Sequence, residues 1–88
     1  MTFKVKPDPK VEDSFRKLIK KDRAHFNQIQ RKLKELETNP EIGKPLRNVL
    51  KKRWRLHIGP YVLTYYIDYT ANIIRLIDYD HHDKIYGK

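Results

Sequence analysis

Arg55 and His57 stand two residues apart in the run Trp54-Arg-Leu-His-Ile-Gly-Pro-Tyr61, and His81, His82 and Tyr86 stand near the end of the chain. Arginine offers a permanent charge in a planar fork that matches phosphate oxygens. Histidine gains or loses its proton near neutral pH. A tyrosine hydroxyl can orient a nucleophile or give up a proton. With Arg75 as a second cation, these types suit cleavage of a ribose–phosphate link. RNA brings its own nucleophile, the 2′-hydroxyl. The protein then has to supply a base, cations for the charged transition state, and an acid for the leaving oxygen.

From Ile42 to Ile67 the chain carries no acidic residue, but it holds Lys44, Arg47, Lys51, Lys52, Arg53, Arg55 and His57. Arg47, Lys51, Lys52 and Arg53 are the expected grip on a nucleic-acid backbone, made without reading sequence. Tyr66 can stack a base, as can Tyr61 and Trp54, although alternation assigns the latter two to the core. Each assignment has a plainer competitor. Arg55 would equally solvate a sheet face, His57 would serve as a surface histidine, and Tyr86 would pin the tail. His81-His82 beside Asp80 and Asp83 invites a metal. Neighbours in an extended chain point opposite ways, however, so no metal site is expected.

These groups need a scaffold. Phe3 and Val5 alternate with lysines, which predicts a short strand. Asp8-Pro9 reads as a helix cap followed by proline at the first helical position. Val11, Phe15, Leu18 and Ile19 share a stripe, so a helix runs to about Lys21. Asp22 caps a second helix, with Phe26, Ile29, Leu33 and Leu36 inward and Asn39-Pro40 at its end. The hydrophobic period then falls from about 3.6 to 2. After a loop from Gly43 to Lys52, with a short extended piece near Leu46–Val49, strands are expected at about Arg53–Ile58, Tyr61–Tyr69 and Asn72–Tyr79. Gly59-Pro60 and Thr70-Ala71 make the turns. The expected fold is α+β in a single domain spanning 1–88. It has an N-terminal strand, an antiparallel two-helix hairpin, then a three- to four-stranded antiparallel meander. The helices cover one sheet face. The other face is expected to stay open, with Arg53, Arg55, His57 and Arg75 on it and no carboxylate pair.

The 88 residues are 39% hydrophobic and 35% charged, with 20 Lys plus Arg against 11 Asp plus Glu and a net charge of +9. That balance points to phosphates or acidic proteins as partners. No cysteine is present, which excludes disulfides, thiolate zinc sites and thiol nucleophiles. No apolar run reaches the length of a membrane span, and the expected location is cytoplasmic. The lone serine, Ser14, falls in a helix without a triad, and the three glycines form no phosphate loop.

Lys44-Pro45-Leu46-Arg47, followed by Trp54-Arg55-Leu56-His57-Ile58-Gly59-Pro60-Tyr61-Val62-Leu63-Thr64-Tyr65, resembles the central motif of the RelE/ParE toxin superfamily. The end, Asp80-His81-His82-Asp83-Lys84-Ile85-Tyr86, is similar to that family's terminal H-R-x-x-V-Y. The resemblance implies a toxin of a type II toxin–antitoxin system, acting without a metal cofactor and silenced by an acidic, RelB-like antitoxin. RelE-like members cut mRNA in the ribosomal A site; ParE-like members inhibit DNA gyrase. The chain departs from the pattern at four places. Val62 and His82 stand where the family has arginines, His57 where it has Arg or Lys, and Pro60 where it has Asp. The leading expectation is a ribosome-dependent endoribonuclease. A gyrase inhibitor and a basic RNA-binding relative without cleavage activity are the alternatives.

Overall fold

A computed structural model describes residues 2–46 and 52–86, with the backbone alone at Tyr86. Arg47 and Lys51 lie outside the described residues. The chain forms strand β1 (Lys4–Pro7), helices α1 (Pro9–Lys21) and α2 (Arg23–Thr38), and a short 3-10 turn at Pro40–Ile42. Strands β2 (Lys44–Pro45), β3 (Trp54–Ile58), β4 (Tyr61–Asp68) and β5 (Ile73–His81) follow, then helix α3 (His82–Tyr86).

The five strands form one sheet in the order β1-β5-β4-β3-β2. β2 to β5 run antiparallel as a meander, whereas β1 returns after no hairpin and joins β5 in parallel. The sheet is therefore closed at both flanks by short strands. Both turns obey local chemistry. Gly59 takes φ +60 as the first residue of the two-residue β3–β4 turn, a conformation that glycine adopts without cost. The Asp68 carboxylate accepts the Thr70 and Ala71 N–H groups, each at 3.0 Å, and so folds the next turn.

α1 and α2 pack on one sheet face. Val11 and Phe15 from α1 and Ile29 and Leu36 from α2 meet Leu56, Ile58, Leu63, Tyr65, Ile74, Leu76 and Tyr79 in a single apolar cluster. Phe26 and Leu33 flank it. Ile19 falls off the expected stripe and stays exposed. Asp22 caps α2 by accepting the His25 N–H at 3.1 Å. Asp8 occupies the cap position of α1 with Pro9 next, yet its side chain makes no cap bond; it reaches Arg75 instead.

One irregularity decides which side chains face where. Thr64 pairs with Asp78 while Tyr65 pairs with Leu76, so Ile77 is an extra residue on β5. A bulge of one residue exchanges the two faces of everything beyond it. Without it Asp78 and Asp80 would follow Ile74 and Leu76 into the core. With it, Tyr79 and His81 point to the helices, and Asp78 and Asp80 point to the opposite face. The expectation that this face carries no carboxylate pair is corrected by that single residue. Strand β5 also runs two residues further than the turn signals suggested.

Candidate RNA-binding face and its neighbours

Cross-strand pairing builds the face away from the helices row by row. Lys44, Arg55, Thr64 and Asp78 form one row; His57, Val62 and Asp80 the next; Tyr66, Arg75 and Lys6 a third. Arg55 and Arg75 therefore share a face, two strands and one rung apart, about 12 Å between backbones. Lys44 and Arg55 are directly opposed like charges, an arrangement that an anion between them would favour.

The middle of this face is not open. Val62 is 0% and Thr64 6% exposed, although Val62 stands outside the main apolar cluster. Arg55 is half-buried and its Nε is withdrawn from solvent. His57 stays exposed. The accessible part lies toward the start of β3, where a groove of about 910 Å³ is bounded by Lys52, Arg53 and Trp54 on one side. Tyr66, Tyr69, Arg75 and Ile77 bound it on the other, with Asp8 and Glu41 contributing acids. Four of the residues expected to hold a nucleic acid or its phosphate, namely Lys52, Arg53, Tyr66 and Arg75, thus line one groove.

Two contacts orient the groove. An Nη1 of Arg75 donates to Asp8 Oδ1 at 3.4 Å, which fixes one arm of the guanidinium and leaves its other donors for a ligand. The Tyr69 hydroxyl donates to Glu41, and that bond raises the Tyr69 pKa. Trp54 stacks on Tyr65 with ring centres 6.3 Å apart and 18° between planes. It is half-buried, so it serves core and groove at once.

Beneath the groove, Tyr65 is fully buried, and burial pushes its phenol up to about 12. Its hydroxyl donates to the Pro40 carbonyl at 2.7 Å and accepts the Gly43 N–H at 3.1 Å. A Cβ at Gly43 would lie 2.6 Å from the Arg55 carbonyl oxygen and 2.7 Å from that hydroxyl. Only glycine brings the β2 segment, and with it Lys44, this close to Arg55.

The terminal residues do not all join the face. His81 pairs with Tyr61 and packs edge-on against its ring at 5.6 Å, on the helix side at the end of the sheet. Tyr61 stacks on Tyr79 at 5.3 Å and meets His25 at 4.6 Å, and His25 Nε2 lies 2.5 Å from the Tyr79 hydroxyl. His81 is thus the end of a ring cluster continuous with the core, separated from Arg55 by the sheet. His82 and Tyr86 belong to α3, which packs on β4 and β5; the side chain of Tyr86 lies outside what is described. His81 and His82 do not point opposite ways, as neighbours in an extended chain would. The strand ends at His81 and a helix begins at His82, and a donor atom from each lies within 4.8 Å of the other and of the Asp83 carboxylate.

Residues 5–86 match the family described as ParE toxin of type II toxin-antitoxin system, parDE. The chain belongs to the RelE/ParE toxin superfamily. It is similar to "Putative toxin RelE4" of Methanocaldococcus jannaschii, 32% identical over 87 residues, covering 98% of this chain and 93% of that one. It is also 38% identical over 77 residues to an uncharacterised protein of Methanosarcina mazei, covering 86% and 90%. The fold is shared with the toxin–antitoxin complex RelBE2 of Mycobacterium tuberculosis, at TM-score 0.78, 23% identity and 92% and 99% coverage. It is shared too with the archaeal RelE–RelB complex of Pyrococcus horikoshii OT3, at TM-score 0.74, 22% identity and 92% and 96% coverage. A mutant of Escherichia coli toxin RelE in the free state gives TM-score 0.72 at 22% identity, covering 98% and 92%. This member of the superfamily is a toxin of a type II toxin–antitoxin system. Among the described residues, none of its helices is long and apolar enough to cross a membrane.

Proposed function

We propose that this toxin is a RelE-like endoribonuclease that cleaves mRNA on the ribosome and is held inactive by an acidic, RelB-like antitoxin in the cytoplasm. The observation that carries the reading is the placement of Arg55, Arg75 and Tyr66 on one sheet face, beside a groove also lined by Lys52, Arg53 and Trp54. In the reaction the 2′-oxygen attacks phosphorus and the bond to the 5′-oxygen breaks. A base takes the 2′ proton, and an acid protonates the leaving oxygen. Arg55 stabilises the charged phosphorane and Arg75 supports it. His57, on the same face as Arg55, exchanges one proton, and His82 and Tyr86 of α3 supply the other and orient the attacking oxygen. Lys52, Arg53 and Tyr66 hold the flanking nucleotides, and Arg47 and Lys51 extend that grip. His81, turned toward the helices, takes no part in this scheme. The antitoxin follows from the two related toxins whose complexes with partners share this fold. An acidic segment studded with apolar residues would cover the cations and fold as it binds.

The test is purified toxin added to translating ribosomes, with cleavage mapped on the message. Cut message is expected, and Arg55→Ala should lower the rate by at least about 10²-fold, as for loss of one donor to a developing oxyanion. Intact message at high toxin excess overturns the reading.

A second reading has its own support. Val62, Asp78 and Asp80 place an apolar and two acidic residues in the two rows around Arg55 and His57, which weakens that region as a phosphate site. The matching family is also described by its ParE members. A gyrase inhibitor without RNA chemistry fits both facts. A supercoiling assay separates the two: inhibition of gyrase alongside intact message favours this reading.

A further inference from the structure

We propose that His81, His82 and Asp83 form a binding site for a late first-row divalent cation of the zinc or nickel type. This site lies at the β5–α3 junction; it takes up the His82 imidazole, so its occupation would withdraw that group from the proton transfer proposed above, while the binding itself does not require that the chain cleave RNA. Asp83 lies between the two imidazoles. Its Oδ1 is 2.8 Å from His82 Nδ1 and its Oδ2 is 3.6 Å from His81 Nδ1. Zinc–nitrogen and zinc–oxygen bonds of about 2.0–2.2 Å at tetrahedral angles put neighbouring donors about 3.4 Å apart. The two measured separations bracket that edge, and all three donors lie within 4.8 Å. Small rotations of surface rings bring them onto one ion.

The Asp83 N–H donates to His81 Nδ1 at 3.2 Å, which keeps the ring hydrogen on Nε2; without metal this bond occupies the Nδ1 lone pair, and a small turn of the ring exchanges it for the cation. The Asp80 carboxylate accepts the His81 N–H at 2.8 Å and holds the strand end from which the ring projects. Packing of the His81 ring on Tyr61 limits its freedom further. Two imidazoles and one carboxylate select borderline metals over magnesium or calcium, which require oxygen ligands. The side chains are 40%, 51% and 74% exposed, which leaves the remaining positions to water.

One effect opposes binding. The net charge of +9 repels a cation, and Lys84 is adjacent. Physiological salt screens charges beyond about 8 Å, so the near field decides, and there Asp83 and Asp80 outnumber Lys84. Occupation ties the last residue of β5 to the first turn of α3, and therefore stabilises the folded chain.

Calorimetric titration of the untagged full chain with Zn²⁺ and with Ni²⁺ is expected to show one saturable site and a rise in melting temperature. Mg²⁺ should produce neither. His82→Asn and Asp83→Asn should each weaken binding at least about tenfold, in line with the loss of supporting groups at other metal sites. His57→Asn serves as the binding control and should leave affinity unchanged. Far-UV circular dichroism confirms that each variant is folded. Absence of saturable binding up to 1 mM metal overturns the proposal. So does binding that survives both substitutions at this junction.

Discussion

Tyr65 joins the core to the floor of the groove. Its ring belongs to the helix-side core, while its hydroxyl bonds both Pro40 and Gly43, so one side chain ties the 3-10 turn to the sheet centre. Tyr65→Phe keeps the ring and orphans the buried Pro40 carbonyl and the half-buried Gly43 N–H. The expected loss is about 1–3 kcal/mol by chemical denaturation. The same residue makes a pH prediction. Its phenol ordinarily titrates at 10.0 and is held up to about 12 by burial. A raised folded value means that the unfolded chain ionises first. The stabilisation is fully present below pH 10 and is lost as pH rises toward 12. Tyr79, also raised by burial, adds to the same alkaline loss. Tyr65→Phe should therefore show a shallower fall in melting temperature over that window than the unaltered chain. Parallel curves would mean that Tyr65 ionises alike in both states.

Among the elements, β5 shows where the amino-acid pattern could and could not be read. The helix hairpin was legible because Phe15, Ile29 and Leu36 recur at helical spacing and Asp22 and Asn39-Pro40 punctuate it. The meander was legible because Leu56 lies between Arg55 and His57, Leu63 and Ile74 recur at a period of two with their core-facing neighbours, and Gly59-Pro60 and Thr70-Ala71 mark the turns. Arg55 and Arg75 followed from the same alternation. Beyond Ile77 the pattern misled, since Ile-Ile-Arg-Leu-Ile contains nothing that marks which isoleucine is surplus. The bulge depends on partners in β4, and those pairings are tertiary. His81 consequently lies on the helix side of the sheet, and Asp78 and Asp80 lie on the opposite face. Parallel pairing of β1 was hidden for a related reason: a crossover through two helices leaves no turn signature. Deleting Ile77 should restore simple alternation and drive Asp78 and Asp80 toward the apolar cluster. Burying a carboxylate costs several kcal/mol, against a total stability of about 5–15 kcal/mol. The deletion should abolish cooperative unfolding, while Ile77→Val should melt within a few degrees of the parent. A deletion variant that melts normally would mean that the bulge does not set the facing.

For the whole molecule, charge is distributed so that one flank of the sheet can hold a polyanion while the helical side remains mixed. Glu12, Asp13 and Arg16 neutralise one another along α1, and Lys32 pairs with Glu35 on α2. On the sheet, Arg75 pairs with Asp8 at the groove, while Asp78 and Asp80 lie in the rows beyond Arg55. Single-stranded RNA that is bound through Z phosphates loses affinity with a salt slope of about −0.7Z. Lys52, Arg53, Arg55 and Arg75 set Z near 4, hence a slope of about −3 and a loss of about 50-fold between 50 and 200 mM salt. A 2′-O-methyl oligonucleotide cannot be cut, so fluorescence anisotropy with it reads binding alone. Arg53→Ala should make the slope shallower by about 0.7 without changing the fold. Arg16→Ala, on the far side, should leave it unchanged, because that guanidinium is already engaged with Glu12 and Asp13. Equal effects from the two substitutions would mean that the chain attracts RNA by net charge alone, with no preferred face.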